Sequence, residues 1–356
     1  MFTLTFDDFY FFLTPTFLLL FSWLFFFKVN NNFLKTSTEV STNINIIKVN
    51  SNSAFVDFYY YILILLLTNI YTLHGRNSII WFNHFNLTNF TLYLIYLFLF
   101  VGFSIYFLLK SVLKKTNLVK SIDYLFSINN LVVLLPLLFL VNTVFTFLFL
   151  LELISVVLLY KLISSKIWFK NQNKIKNINN NIPQSYINMI FFQYWVTFFS
   201  TIFIIYFYIN LFYMYGTSDW YVIQYITTTG ILDVSFTNTI LHRILVSVFL
   251  FSIFFKLGVT PFHLFKIEVY KGIPLLSIFF YTTYYFVVFF IFFLYFLSDF
   301  IATYVIYYYL ILVLLLFVGS CYTIVLLFDV SFLKAFFTYS TIINTIGFLT
   351  AFVAAL

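Results

Sequence analysis

The chain has 356 residues, of which 63% are hydrophobic and 8% charged, and its mean hydropathy is +1.04. A water-facing globular surface needs many more charged residues, so the composition excludes a soluble protein and predicts one embedded in a lipid bilayer. The formal net charge of +7 comes from lysines spread over several polar segments. Membrane topology and anionic lipid headgroups explain that spread, and we therefore predict contacts with membrane lipids and no nucleic-acid binding.

Apolar runs of about 20 residues, the length of a membrane-spanning helix, recur along nearly the whole chain. The sequence shows no series of ten-residue alternating segments typical of a membrane β-barrel. It therefore predicts an all-α polytopic membrane protein that forms a single membrane domain over residues 1–356. About ten transmembrane helices are expected, near residues 9–27, 54–73, 91–113, 124–141, 143–163, 187–212, 240–272, 273–296, 300–327 and 334–355.

Polar segments separate several of these helices. Residues 28–53 and 170–185 are rich in Asn and Lys and are predicted to be loops. Residues 217–239 are amphipathic at best, and we expect them to lie along the membrane surface. The first apolar run starts by residue 9 without basic residues before it, so no cleavable presequence is expected.

Charged residues are distributed unevenly between the two sets of loops. When the connections are assigned alternately to the two sides, all but three of the 18 basic residues fall on one side. Arg76 and Arg243 fall on the other side, and Lys256 lies within a predicted helix. By the positive-inside rule, both termini are expected outside and the Lys-rich loops inside. All acidic residues except Glu152 fall in or beside connections, which leaves one acid and one base inside the membrane.

An ionisable side chain near the bilayer centre costs roughly 2.5–3.5 kcal/mol on insertion scales, and it usually marks an ion or proton path. Burial disfavours the charged form of an amine or a carboxyl group, so both can exchange protons. Glu152 and Lys256 are therefore candidate proton-relay residues. A purely structural ion pair between two helices is the alternative interpretation.

A glycine and a proline that follow Lys256 predict a break in its helix. Pro261 removes a backbone donor, and Gly258 lowers the cost of an irregular turn. His263 follows the break, where it either passes protons or donates a hydrogen bond to a freed carbonyl. The next charged residues are interpreted as a solvated, interfacial end of the helix: Lys266, Glu268 and Lys271.

Three motifs carry a resemblance to a known family. FKLGVTPFH (255–263), followed by EVYKGIP (268–274), resembles the signature FKLGxxPFHxWxPxVYxGxP of subunit 2 of NADH dehydrogenase, an antiporter-like membrane subunit of respiratory complex I. LELIS (151–155) resembles the family's LELQS, and Asp123-Tyr124 falls where EYY opens the preceding helix. KAFFTYSTIINTIG (334–347) resembles KRLLAYSSIAHxG. The similarity covers roughly residues 120–356.

The resemblance implies an antiporter-like fold and a role in coupling NADH:ubiquinone oxidoreduction to proton translocation across the inner mitochondrial membrane. It gives Glu152 and Lys256 the roles of the charge pair of a half-channel. It also implies no redox centre and no cofactor in this chain. The single Cys321 agrees with that, because one thiol supplies neither an internal disulfide nor an iron–sulfur ligand set. The implied partners are the other membrane-arm subunits of complex I.

Three departures from the family pattern bear on the mechanism. Gln193 occupies the position of the family's KYF lysine, and Phe286, fourteen residues after Gly272, occupies the position of its central lysine. Tyr284 and Tyr285 are adjacent to Phe286, and we consider them candidates for holding a water chain. The sequence stops at residue 356, whereas the family continues with further helices, so a separate chain is one candidate source of them.

Three hypotheses stay open at this point. The chain is a proton-translocating subunit of complex I, a structural membrane-arm subunit without its own pump, or a stand-alone cation/proton antiporter. Its 56 Phe and 29 Tyr residues and few Gly and Pro residues are typical of an AT-rich genome. Together with the resemblance, this composition favours a protein encoded in a protist-like mitochondrial genome, with both termini toward the intermembrane space.

Overall fold

The computed structural model describes residues 78–80, 83–115, 122–165, 184–229, 236–296, 302–328, 330 and 332–355. The helices predicted near 9–27 and 54–73 lie outside the described residues, as does the predicted loop 28–53. Nearly all of the predicted loop 170–185 lies outside them as well. The single membrane domain predicted for the whole chain therefore stays a prediction.

Within the described residues, helices account for almost all of the structure. A short antiparallel hairpin comes first, with β1 (Ser78–Ile80) paired to β2 (Phe85–Leu87). The α-helices are α1 (Asn89–Lys115), α2 (Ile122–Leu137), α3 (Val144–Ser164), α4 (Gln184–Tyr215), α5 (Trp220–Thr229), α6 (Phe236–Leu257), α7 (Leu264–Gly272), α8 (Leu275–Phe280), α9 (Phe286–Phe296), α10 (Ala302–Phe328) and α11 (Leu333–Ala355).

Two short segments of other helix types connect these elements. A 3₁₀ turn at Leu138–Leu140 continues α2, which contains Pro136, and a π-helical turn at Tyr281–Tyr285 joins α8 to α9. The predicted surface stretch 217–239 contains α5 and the beginning of α6. The hairpin was not predicted, because its strands of three residues are too short to show an alternating pattern.

Six stretches of the described helices are long and apolar enough to cross a membrane. They are Asn89–Val112, Asp123–Leu140, Val144–Ser164, Gln184–Tyr215, Leu275–Phe296 and Leu333–Phe352. This confirms the predicted class, an all-α polytopic membrane protein. Large apolar side chains also cover the outer faces, such as Phe100 on α1 and Phe317 on α10, which suits contact with lipid or with neighbouring subunits.

The chain divides into two compact units, residues 1–97 and residues 98–356. The described part of the first unit consists of the hairpin and the beginning of α1. In the second unit, α4 packs against α3, α6 and α7, while α11 packs against α7 and α10. The second unit contains the predicted site residues, so it is described in more detail below.

Local sequence explains how α3 is positioned. Thr143 has an extended conformation before the helix, and its hydroxyl accepts a hydrogen bond from the backbone N–H of Thr146. This N-cap satisfies one of the free donors at the helix start. At the other end, the Ser165 hydroxyl donates to the carbonyl of Leu162. Both ends of the helix that carries Glu152 are therefore capped by side chains.

Aromatic side chains from five helices form one layer of the core, which we call the aromatic layer. Its ring centroids lie 4.6 Å apart for Phe207 and Phe249, 4.6 Å apart for Trp220 and Phe296, and 5.7 Å apart for the stacked pair Phe147 and Phe296. Such contacts stabilise a bundle in lipid through close packing. The members of the layer are Phe147, Phe207, Trp220, Phe249, Phe292 and Phe296.

Candidate functional site at a lysine-bearing helix break

The break predicted near Pro261 is confirmed. Helix α6 ends at Leu257, α7 begins at Leu264, and the six residues between them, here called the break, form turns. Gly258 has a φ of +65°, a left-handed conformation that residues with a Cβ rarely adopt. The Thr260–Pro261 peptide bond is cis.

The break leaves backbone groups that a continuous helix would satisfy internally. Some are paired locally, since the N–H of Val259 donates to the carbonyl of Phe254 on α6 and the N–H of Phe262 donates to the carbonyl of Val259. The carbonyl of Leu257 instead accepts from a side chain, the ammonium of Lys266, at 3.5 Å. A helix end inside the protein is therefore used to hold a cation.

Lys256 lies in the last turn of α6, directly before the break, and only 9% of it is exposed. Its Nζ has no hydrogen-bond partner among the described residues. Glu152 on α3 is half-buried, and it does not form an ion pair with Lys256 within 4.0 Å. The structure thus buries both predicted residues, wholly or in part, without joining them directly.

The Glu152 carboxylate is only partly stabilised by its surroundings. Its Oε2 lies 3.5 Å from the hydroxyl of Ser155, whereas its Oε1 is buried and has no hydrogen-bond partner in the described part of the chain. A carboxylate accepts up to about four hydrogen bonds when it is fully satisfied. Glu152 therefore keeps an unused capacity to accept hydrogen bonds.

His263, the third predicted residue, lies at the end of the break and is 3% exposed. Its ring meets that of Tyr322 on α10 in an edge contact, with centroids 5.7 Å apart. Nearby, the hydroxyl of Thr260 lies where a Cβ on Gly319 would be, so the break packs tightly against α10 at this glycine. A proton-relay role and a structural role for His263 both stay predictions.

Tyr284 and Tyr285 lie in the π turn, a helix irregularity often found at functional sites. The Tyr284 hydroxyl donates to the carbonyl of Val132 on α2 at 3.0 Å, so its proton is already committed to a backbone acceptor. Tyr285 stacks on Tyr281 with ring centroids 5.0 Å apart. Both side chains are buried, and a water chain along them stays a prediction.

Two predictions about lysines are wrong. Lys266, interpreted from sequence as part of a solvated helix end, is 1% exposed, whereas Glu268 and Lys271 form an exposed ion pair of 2.6 Å as expected for such an end. Lys161, counted with the basic residues of one side although it lies near the end of the predicted helix 143–163, is completely buried in α3, with its ammonium 3.9 Å from the ring centroid of Phe280. Lys256 is therefore one of three buried lysines in the described residues.

The burial of Lys266 could not be seen in the sequence, where charges are assigned by their distance from the apolar runs. In the structure, the Lys266 ammonium lies 4.2 Å from the ring centroid of Phe286. Phe286 is the position at which the resemblance predicts a lysine. A cation is therefore present at this position, although it comes from α7 and not from α9.

In chemical terms, the site contains two amines and a carboxyl group in surroundings of low polarity. In the described part of the chain, no group of three His, Cys, Asp or Glu residues is placed to bind a metal ion. Cys321 on α10 is exposed and lies outside this cluster. What the cluster offers is the exchange of protons between fixed side chains.

The fold and the site define a polytopic membrane protein whose broken helix carries buried lysines. Part of the chain is similar to a protein of Paramecium tetraurelia that is described as "Uncharacterized mitochondrial protein ORF4", with 39% identity over 85 residues. The matched region is 22% of this chain and 51% of that protein, so the chain spans about half the length of the curated relative it matches. No family model matches the sequence.

Proposed function

We propose that the chain is a core membrane-arm subunit of mitochondrial respiratory complex I and takes part in proton translocation coupled to NADH:ubiquinone oxidoreduction. The observation that carries this proposal is the buried side chain of Lys256, which lies in the last turn of α6 beside a helix break. Electron transfer takes place in other subunits, so the chain contributes to the enzyme as its proton-conducting part.

The energetics support a functional role for this pair. Each inserted ionisable group costs roughly 2.5–3.5 kcal/mol, and a close ion pair would offset much of that cost. Glu152 and Lys256 do not form such a pair, and each has a polar atom without a hydrogen bond among the described residues. A structural lock between α3 and α6 would be expected to bring the charges into contact. The observed arrangement instead suits groups that change their protonation.

The position of Lys256 suggests how a proton is held. The C-terminal end of α6 carries partial negative charge from its free carbonyls, which favours a cation in the last turn. When a proton leaves, the neutral amine is well accommodated by the apolar surroundings. Both states of Lys256 are therefore tolerated, as a relay requires.

Location in the inner mitochondrial membrane is part of the same proposal. The similarity to a mitochondrial protein of Paramecium supports a mitochondrial origin, and the membrane-spanning helices support an integral membrane location. The uneven distribution of lysines supports an orientation with both termini toward the intermembrane space.

One observation favours a second candidate function, a structural membrane-arm subunit without its own pump. Phe286 occupies the position where the resemblance predicts a central lysine, and a phenyl ring carries no proton. Under this candidate, Lys266 would serve only to pack against the ring and to satisfy the Leu257 carbonyl. The two candidates differ in whether changes at the buried lysines alter proton pumping.

Membership of the complex is testable without mutagenesis. Mitochondrial membranes would be solubilised in mild detergent, and the assembly that oxidises NADH would be isolated by native electrophoresis and analysed by mass spectrometry. We expect peptides of this chain in the NADH-oxidising band, in a fixed ratio to its other membrane subunits. Recovery of the chain only in bands without that activity would contradict the proposal.

A further inference from the structure

Lys266 lies in the first turn of α7, directly after the break, and has no role in the function proposed so far. A lysine at the end of a broken helix normally extends its flexible side chain to the membrane surface. Lys266 does the opposite, since only 1% of it is exposed. Its neighbour Lys271 on the same helix is paired with Glu268 at the surface.

The break itself makes room for the buried side chain. The Lys266 Cδ lies 3.1 Å from the point where a Cβ on Gly258 would be, so the aliphatic stem passes over a residue that has no side chain. The stem then directs the ammonium between the carbonyl of Leu257, at 3.5 Å, and the ring centroid of Phe286, at 4.2 Å. Gly258 is therefore needed both for its backbone conformation and for the space it leaves.

The surroundings of the Lys266 ammonium stabilise its positive charge only weakly. An ammonium group has three N–H donors, and here one long hydrogen bond and one aromatic face share them. Among the described residues, no carboxylate lies within 4.0 Å of it. Because the charged form has no close counter-ion, a proton is able to leave this site without breaking an ion pair.

The backbone at Leu257 connects the Lys266 site with Lys256, the predicted relay residue. Lys256 immediately precedes Leu257, whose carbonyl accepts from Lys266, so both buried lysines belong to the same helix end. Phe286 on α9 contacts the Lys266 ammonium from its other neighbouring helix. These contacts connect α6, α7 and α9.

We propose that Lys266 is a second proton-carrying residue of this chain, which exchanges a proton with Lys256 across the break. In the step, an N–H bond of one ammonium breaks and a new N–H bond forms on the neutral amine of the other lysine, with no change in oxidation state. The proposal rests on the proposed function, and it continues the proton path toward α9 even though Phe286 carries no proton.

The experiment compares Lys266→Met and Lys266→Arg in the assembled complex and measures protons pumped per NADH oxidised. Methionine removes the amine but keeps much of the volume, and arginine keeps the charge but does not release a proton. We expect both variants to lower the ratio as far as Lys256→Met does. The Lys256→Met/Lys266→Met double variant should lower it no further, since groups that act as one path are not additive.

Lys271→Met is the matched control, because it removes an exposed lysine from the same helix. It should leave the ratio unchanged. Assembly of each variant would be checked by the amount of complex on native gels. The ratio would be calculated only for assembled complex that oxidises NADH.

Each other outcome overturns the proposal in a recognisable way. Normal pumping in Lys266→Arg would show that only a fixed positive charge is needed, and failure of both Lys266 variants to assemble would show a structural cation. If Lys256→Met lowers the ratio while the Lys266 variants do not, the further inference fails and the proposed function stands. If none of the variants lowers it, both fail.

Discussion

The aromatic layer and the break share helix α6 and yet have opposite properties. Phe249 and Lys256 are both on α6, two helical turns and about 10 Å apart. Phe249 is completely buried among rings, with Phe207 only 4.6 Å away, whereas the Lys256 ammonium has no hydrogen-bond partner in the described structure. The first region is filled with closely packed rings, and the second contains ionisable groups with few hydrogen-bond partners among the described residues.

This difference indicates that the aromatic layer contributes mainly to stability and the break mainly to function. Close packing of large rings contributes to association of helices in lipid, where hydrophobic burial contributes little. Partly satisfied ionisable groups in a membrane protein lower stability and are characteristic of ion or proton paths. We therefore expect changes in the aromatic layer to reduce the amount of folded protein, and changes at the break to reduce proton pumping by the protein that remains.

The largest loss of stability is expected from Phe147→Ala in the aromatic layer. Phe147 is 1% exposed, and its removal would leave a cavity costing about 3 kcal/mol. Phe149→Ala is the matched control, because Phe149 is on the same helix but 54% exposed. The steady-state amount of assembled complex would be measured for both variants. If Phe149→Ala reduced the amount of assembled complex as much as Phe147→Ala, the aromatic layer would not contribute more to stability than the exposed rings do.

A smaller effect, about 2 kcal/mol, is expected from Gly319→Ala on α10. A Cβ at this position would collide with the side chain of Thr260 in the break, so either the break or α10 must shift. Gly347→Ala on α11 is a suitable control, since no atom lies within 4 Å of the position of its new Cβ. We expect Gly319→Ala to lower protons pumped per NADH and Gly347→Ala to leave that ratio unchanged. Equal ratios in the two variants would show that the break tolerates displacement.

The smallest effect is expected from Tyr284→Phe in the π turn. This change removes the hydrogen bond from the hydroxyl to the carbonyl of Val132 and costs about 1 kcal/mol. Because that hydroxyl is already used in a structural bond, pumping per assembled complex should be unchanged. A clear fall in protons per NADH, with normal assembly, would instead place Tyr284 in the proton path.

Much of the fold could be predicted from the sequence, because transmembrane helices are defined by long apolar runs. The helix predicted at 334–355 is observed at Leu333–Ala355, and the break predicted from Gly258 and Pro261 is observed between Leu257 and Leu264. Both features depend on local properties of the chain, namely hydropathy, the missing proline donor and the conformational freedom of glycine.

The buried lysines at 161 and 266 could not be predicted in the same way. Assignment by loop assumes that a basic residue near the end of an apolar run reaches the membrane surface. Lys266 instead turns inward because Gly258 leaves space for its stem and Phe286 offers a ring, and those contacts join α7 to the break and to α9. The Lys161 ammonium likewise lies against a ring, that of Phe280. Sequence spacing shows neither the direction of a side chain nor its partner on another helix.

The most direct test of the account is the number of protons pumped per NADH oxidised by complexes carrying Lys256→Met. The account predicts that the variant assembles, continues to oxidise NADH and pumps fewer protons per NADH than the unmodified complex. Glu152→Gln should have the same effect, and Lys271→Met, at an exposed position, should have none. An unchanged ratio in assembled Lys256→Met complexes would contradict the central claim that this buried lysine carries protons.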